Sequence, residues 1–81
     1  MYYVYVLRDV NSKIYIGYSA DLKKRINHHK SGRVKSTKTM LGIQLFYYEA
    51  YINRRMATER ERKLKTFGSS YQGLMKRIGL K

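Results

Sequence analysis

Few side chains in this chain can do chemistry, and their types narrow what that chemistry is. There is no Cys, which excludes a thiol nucleophile, a thiolate zinc site and a disulfide scaffold. Five carboxylates are present, Asp9, Asp21, Glu49, Glu59 and Glu61, and they fall in five different settings. A two-metal site needs several converging carboxylates, so one divalent cation on one glutamate is the economical reading. Mg²⁺ suits that arrangement because it keeps most of its waters and takes few protein ligands. Arg25 has Asp21 four residues before it and His29 four after, so the three share one helical face. The adjacent His28 points ~100° away. An arginine fork is permanently charged and matches a pair of phosphate oxygens, whereas a simple Asp21–Arg25 helix pair is the plainer use. Tyrosine is a poor base at its reference pKa of about 10, but cations and a metal beside it lower that value. Charge stabilisation, a bound cation and a proton acceptor are what hydrolysis of a phosphate ester requires.

The charge balance names the same kind of substrate. Eighteen Lys and Arg stand against five acids, giving a net charge of +13 and a pI near 10.2. Such a domain repels itself unless a polyanion neutralises it, and nucleic acid is the usual polyanion. Charge alone does not separate DNA from RNA. The basic residues spread along the whole chain rather than beside an apolar helix face, which disfavours a membrane surface. No apolar run approaches the ~20 residues that span a bilayer. With no signal-peptide pattern at the start, a cytoplasmic location is expected.

The elements that must position these residues can be read from the periodicity. The 81 residues are expected to make one small domain, 1–81, with no linker, repeat or low-complexity segment. Residues 2–8 (YYVYVLR) and 13–18 (KIYIGY) predict two strands, joined by Asp9-Val10-Asn11-Ser12 as a hairpin. Residues 20–31 predict an amphipathic helix, capped by Ser19 or Asp21 and stopped at Gly32. Residues 32–43 read as a mobile basic loop, and 44–51 as a third strand. Residues 54–66 predict a second helix with Met56, Ala57 and Leu64 on its apolar face. Arg60 falls near the centre of that face, where it must snorkel or pair with a carboxylate. Ser70 is placed to cap a last short helix carrying Tyr71, Leu74, Met75 and Ile78 inward. The fold class is therefore α+β, a small three-stranded antiparallel sheet flanked by helices in the order β-β-α-β-α-α.

On that hairpin, Tyr3-Val4-Tyr5 and Tyr15-Ile16-Gly17 stand ten residues apart from tyrosine to tyrosine. The pair resembles the two signature triplets of the GIY-YIG endonuclease superfamily: the first departs at its opening glycine, replaced by Tyr3, while Tyr5 matches, and Tyr15-Ile16-Gly17 matches the second fully. The resemblance continues through Ser19-Ala20-Asp21-Leu22-Lys23-Lys24-Arg25, then Arg60-Glu61 and Leu64-Lys65, and covers roughly residues 2–78. It is strongest to small single-domain bacterial members related to the nuclease domain of excision repair. It implies that Arg25 is the active-site arginine and that His29 matches a histidine many members use. It also implies that Glu61 holds the metal, with Tyr5 as proton acceptor and Tyr15 completing the hydrogen-bond network. Wheel geometry alone leaves Glu59 and Glu61 on opposite edges of the apolar face, and only the motif prefers Glu61. Many members carry an asparagine after this helix. Here the stretch reads Phe67-Gly68-Ser69-Ser70-Tyr71, leaving Ser70 or Tyr71 to stand in for it.

The expectation is thus a Mg²⁺- or Mn²⁺-dependent endonuclease acting on DNA, selective for single strands or branches rather than for sequence. Lys23, Lys24, Lys30, Arg33, Lys35 and Lys38 are expected to grip the backbone, with Arg54, Arg55 and Arg62 extending the track. Gly17 is expected to allow close approach to the phosphate. Tyr18 and Tyr47 are candidates for stacking on unpaired bases, with core packing as the competing role. The alternative is a non-catalytic nucleic-acid-binding module or an RNA- or ribosome-associated factor. Oligomeric state is not readable from the chain.

Overall fold

The structure is a computed structural model and describes residues 1–79. The last two residues of the expected 1–81 span lie outside it. Three strands, β1 (Tyr2–Arg8), β2 (Ile14–Ser19) and β3 (Gln44–Tyr51), form one antiparallel sheet in the order β2-β1-β3. The helices are α1 (Leu22–Lys30), α2 (Arg54–Lys65) and α3 (Ser69–Arg77). The expected fold class and element order are what the chain adopts.

Because β1 is the central strand, both its faces are covered, and this explains its nearly continuous apolar sequence. Alternate residues serve opposite layers. Val4 and Val6 join Ile16, Ala57, Leu64, Leu74 and Met75 in one core, built with α2 and α3. Tyr5 and Leu7 join Ile26 and Ile43 in the other, beneath α1. Tyr5 thereby faces α1, and the reading frame of β1 decides it. The β1–β3 register slips between Val6 and Leu7, leaving Phe46 as the extra residue of a bulge.

The hairpin turn is closed by Asp9, whose Oδ1 accepts from the backbone amides of Asn11 and Lys13 at 2.9 and 2.8 Å. Between the two candidate caps of α1, Asp21 is the one used: its carboxylate accepts from the Lys24 amide at 3.1 Å. Among the described ion pairs there is none between Asp21 and Arg25, so the arginine is left for another partner.

Three expectations need correction, and one is met. The segment 32–43 is tied down rather than loose: Val34, Thr37 and Ile43 are buried, Met40 packs against the core, and Lys35–Thr37 form a 3₁₀ turn. The inward residues recur every third position, the repeat of that helix type. Met56 is 48% exposed and does not join the apolar face of α2. Arg60 does occupy that face, because Glu49 of β3 meets it with two hydrogen bonds of 2.9 and 3.0 Å. The hydroxyls of Tyr47 and Tyr51 donate to the same carboxylate. Finally, Ser70 is not a cap; α3 starts at Ser69 after Gly68, with no side-chain cap bond.

Candidate active site

Tyr5 occupies the middle of the central strand and is fully buried. Its register partner on β2 is Gly17. A Cβ at Gly17 would lie 2.6 Å from the Tyr5 hydroxyl oxygen and 2.9 Å from the Tyr15 ring. The close approach that this glycine permits is therefore made by two tyrosines. Gly17 itself is buried.

The Tyr5 hydroxyl donates to His29 Nε2 at 2.8 Å, and His29 Nδ1 lies 2.7 Å from the Thr37 hydroxyl. Thr37 in turn donates to the Val34 carbonyl at 3.4 Å. With that proton committed, the Thr37 oxygen receives Nδ1–H, and Nε2 is the acceptor for Tyr5. His29 is thus held in one tautomer by the tethered 32–43 segment. It is also held neutral: burial, then the Arg25 and His28 charges, lower its pKa to about 4.

Arg25 brings its guanidinium beside the Tyr5 hydroxyl and Tyr15. The Tyr5 contact outweighs burial and raises the guanidinium further, so it is charged at every working pH. The expectation that cations would lower Tyr5 does not hold in this protein. Burial dominates and pushes the phenol up to about 12, with Arg25 opposing it only in part and the Tyr15 and Glu61 charges adding to the rise. The sequence places Tyr5 beside a cation but does not show how completely the core closes over it.

Glu61 comes from α2, which packs on the other side of the sheet and contacts the edge strand β2. Its carboxylate is 19% exposed and close enough to act on Tyr5. Glu59 is half-exposed and paired with Arg55 at 3.2 Å, turned to solvent. The geometry thus separates two glutamates that wheel geometry could not. Lys65 is a neighbour that sequence reasoning passed over. Its ammonium lies 3.1 Å from Glu61 and 5.7 Å from the centre of the Tyr15 ring. The signal was available, since Lys65 stands one turn beyond Glu61. Tyr71 turns its ring to Phe67 at 4.7 Å and packs on the α2–α3 core.

Among the described residues no three His, Cys, Asp or Glu converge as a metal cluster. The donor set at this place is one carboxylate, which fits a Mg²⁺ ion that otherwise keeps water. Lys65 pairs with one oxygen of that carboxylate, Oε2, so a cation would be met through the other.

The cationic residues expected to grip a backbone, Lys23, Lys24, Lys30, Arg33, Lys35 and Lys38, are all exposed, as are Arg54, Arg55 and Arg62. Lys23, Lys24, His28 and Arg33 line an open depression on the outer side of α1. The two tyrosines singled out for stacking are not free: Tyr18 packs on the core and Tyr47 is bound to Glu49. Tyr48, one residue on, is the exposed one at 53%.

Comparison with known proteins identifies relatives and a family. The UPF0213 protein of Bacillus pumilus is 36% identical over 67 residues, covering 82% of this chain and 68% of that protein. UPF0213 protein SSP2268 of Staphylococcus saprophyticus is 36% identical over 67 residues, covering 82% of each. The solution NMR structure of UPF0213 protein BH0048 from Bacillus halodurans superimposes with a TM-score of 0.59 at 26% identity, covering 96% of this chain and 85% of that one. The family model described as the GIY-YIG catalytic domain matches residues 1–74, which takes in both tyrosine triplets, the arginine helix and the glutamate helix. By that match, which spans most of its length, the chain belongs to the GIY-YIG family.

Proposed function

We propose that the protein is a metal-dependent endonuclease that hydrolyses DNA phosphodiester bonds and selects strand structure, single strands or branches, rather than sequence. The observation that supports this best is the gathering of Tyr5, Tyr15, Arg25, His29 and Glu61 from four different elements around one buried phenol. Family membership supports a nuclease. The metal, the substrate and the selectivity are proposed.

A Mg²⁺ or Mn²⁺ ion on Glu61 would neutralise charge at the phosphoryl and leaving oxygens. The protein's own groups do the rest. Arg25 binds the scissile phosphate, and Tyr5 and Tyr15 fix where its fork points. Tyr5 is closed to water, so its part is to hold Arg25 on one side and neutral His29 on the other. Tyr15 is only partly buried and offers the hydroxyl that meets the attacking water. Lys65 holds the Glu61 carboxylate in place through its ion pair.

The test incubates the protein with Mg²⁺ or Mn²⁺ and labelled single-stranded, duplex and branched DNA. Glu61→Ala is expected to stop cutting and keep binding. Tyr15→Phe is expected to slow cutting by about a hundredfold or more, the usual range for a lost proton acceptor. The proposal fails if no DNA is cut, or if Glu61→Ala cuts like the parent. DNA that is bound and never cut would leave the non-catalytic alternative standing.

A further inference from the structure

An open groove of about 660 Å³ lies between α1 and the β3 side of the sheet, on the face that carries Tyr5. It does not belong to the reaction cluster, which sits on the β2 side. Its sheet wall is aromatic and aliphatic, made by Tyr3, Leu45 and Tyr48. Tyr48 stands edge-on to Tyr3 with centroids 6.0 Å apart, which holds its ring upright while half of it faces solvent. Ile26 closes the helix side, and Asn27 adds one amide that can both donate and accept. Lys23 and Lys30 stand on the same helix at the rim.

A largely apolar slot with an exposed aromatic ring, one amide and two flanking cations, its one carboxylate (Asp21) engaged as the cap of α1, suits a nucleobase attached to phosphates. We propose that this groove takes one unpaired base of single-stranded DNA, stacked on Tyr48, with its neighbouring phosphates on Lys23 and Lys30. This rests on the reading of the protein as a DNA nuclease and gives its strand selectivity a physical source. A base in a duplex has both faces covered by its neighbours and cannot enter without being flipped out. The groove adjoins the cationic depression on the outer side of α1, since Asp21, Lys23 and Asn27 line both. Tyr3 precedes Tyr5 by two residues on the same face of β1, so the groove opens about 7 Å along the strand from Tyr5. A strand laid across α1 would then present a phosphate close to Arg25 while one of its bases is anchored.

The test is fluorescence anisotropy of labelled oligonucleotides with EDTA present, so that nothing is cut. Tyr48→Ala should weaken single-stranded DNA binding about tenfold or more, while duplex binding and the Tyr48→Phe variant stay within about twofold of the parent. A single abasic residue moved along the strand should cost affinity at one position and cost nothing further in Tyr48→Ala. Circular dichroism checks that Tyr48→Ala is folded. The proposal is overturned if Tyr48→Ala binds single strands like the parent, if it loses duplex binding equally, or if RNA of the same sequence binds more tightly. Cleavage with Mg²⁺ is scored separately. A groove that fails therefore leaves the nuclease reading standing, and a parent that never cuts leaves the groove standing.

Discussion

Tyr5 sits where burial and charge pull in opposite directions, and burial prevails. The phenol is pushed up to about 12 although Arg25 lies beside it. A side chain in that state positions its neighbours and does not give up its proton. His29 has the complementary problem: a base buried in neutral form, with a pKa of about 4 against an ordinary 6.5. Its contribution to stability is whole above pH 6.5, where neither folded nor unfolded imidazole is charged. Between pH 6.5 and about 4 the unfolded chain binds the proton first, so stability falls as pH falls. The loss on crossing that window should be roughly 3 kcal/mol. Urea unfolding at steps between pH 7 and pH 4 checks it, and His29→Gln should remove that share of the slope. Gly17 gives a second prediction at this scale. Gly17→Ala drives a methyl into the Tyr5 oxygen and the Tyr15 ring. It should cost about 1–3 kcal/mol by overpacking. Because both rings touch the site, activity should fall in protein that is still folded.

Between elements, one polar cluster replaces part of an apolar interface. Glu49 of β3, with its side chain 14% exposed, receives Arg60 of α2 together with two tyrosine hydroxyls. Burial alone would raise this carboxyl; Arg60 and the two hydroxyls outweigh it and hold it below the usual range. Tyr51 moves the other way, to about 12, through burial and its bond to the same carboxylate. Glu49→Gln leaves Arg60 enclosed without a counter-charge and should cost about 3 kcal/mol. Adding Arg60→Met should recover part of that loss, which a chemical-denaturation cycle measures. The start of α2 rests on Asn53, whose side chain accepts from the Met56 amide at 2.9 Å. Asn53→Ala should cost about 1 kcal/mol. Since α2 carries Glu61, the same change tests whether the glutamate is held by its helix: cutting should fall by more than the folded fraction does. The 32–43 segment acts at this scale too, because Thr37 fixes the tautomer of His29 across the gap between loop and helix.

For the molecule as a whole, the +13 charge sets how it meets a polyanion. The cations expected to grip a backbone are exposed on α1 and the segment after it, several of them around one open depression. Their grip should be blind to sequence and sensitive to salt. If Lys23, Lys24, Lys30, Arg33, Lys35 and Lys38 all engage a single strand, log affinity should fall against log salt with a slope of roughly −4. Replacing Lys23 and Lys30 together by alanine should flatten that slope by about 1.4. A slope near zero in the parent would show that the backbone is not what the protein holds. Among the described residues no helix is long and apolar enough to cross a membrane.

The sequence by itself determined the order of elements, because hydrophobic period and turn residues are local properties. The third strand was readable to the residue, and so was the hairpin that carries Tyr5 on one strand and Tyr15 on the other. It also carried Arg25 and His29 onto one face, since helical spacing is fixed. Contacts between distant segments were not legible. Arg60 looked misplaced until Glu49 arrived from another strand. Residues 32–43 looked loose because their polar residues outnumber the four that turn inward. Helical periodicity did not separate Glu61 from Glu59, though the motif favoured Glu61; their different surroundings appeared when α2 was laid against the edge of the sheet, and Lys65 gained its meaning from the same docking. The fate of Tyr5 was decided last. A phenol's proton affinity depends on how much water reaches it, and exclusion of water is a property of the packed molecule, not of any stretch of chain.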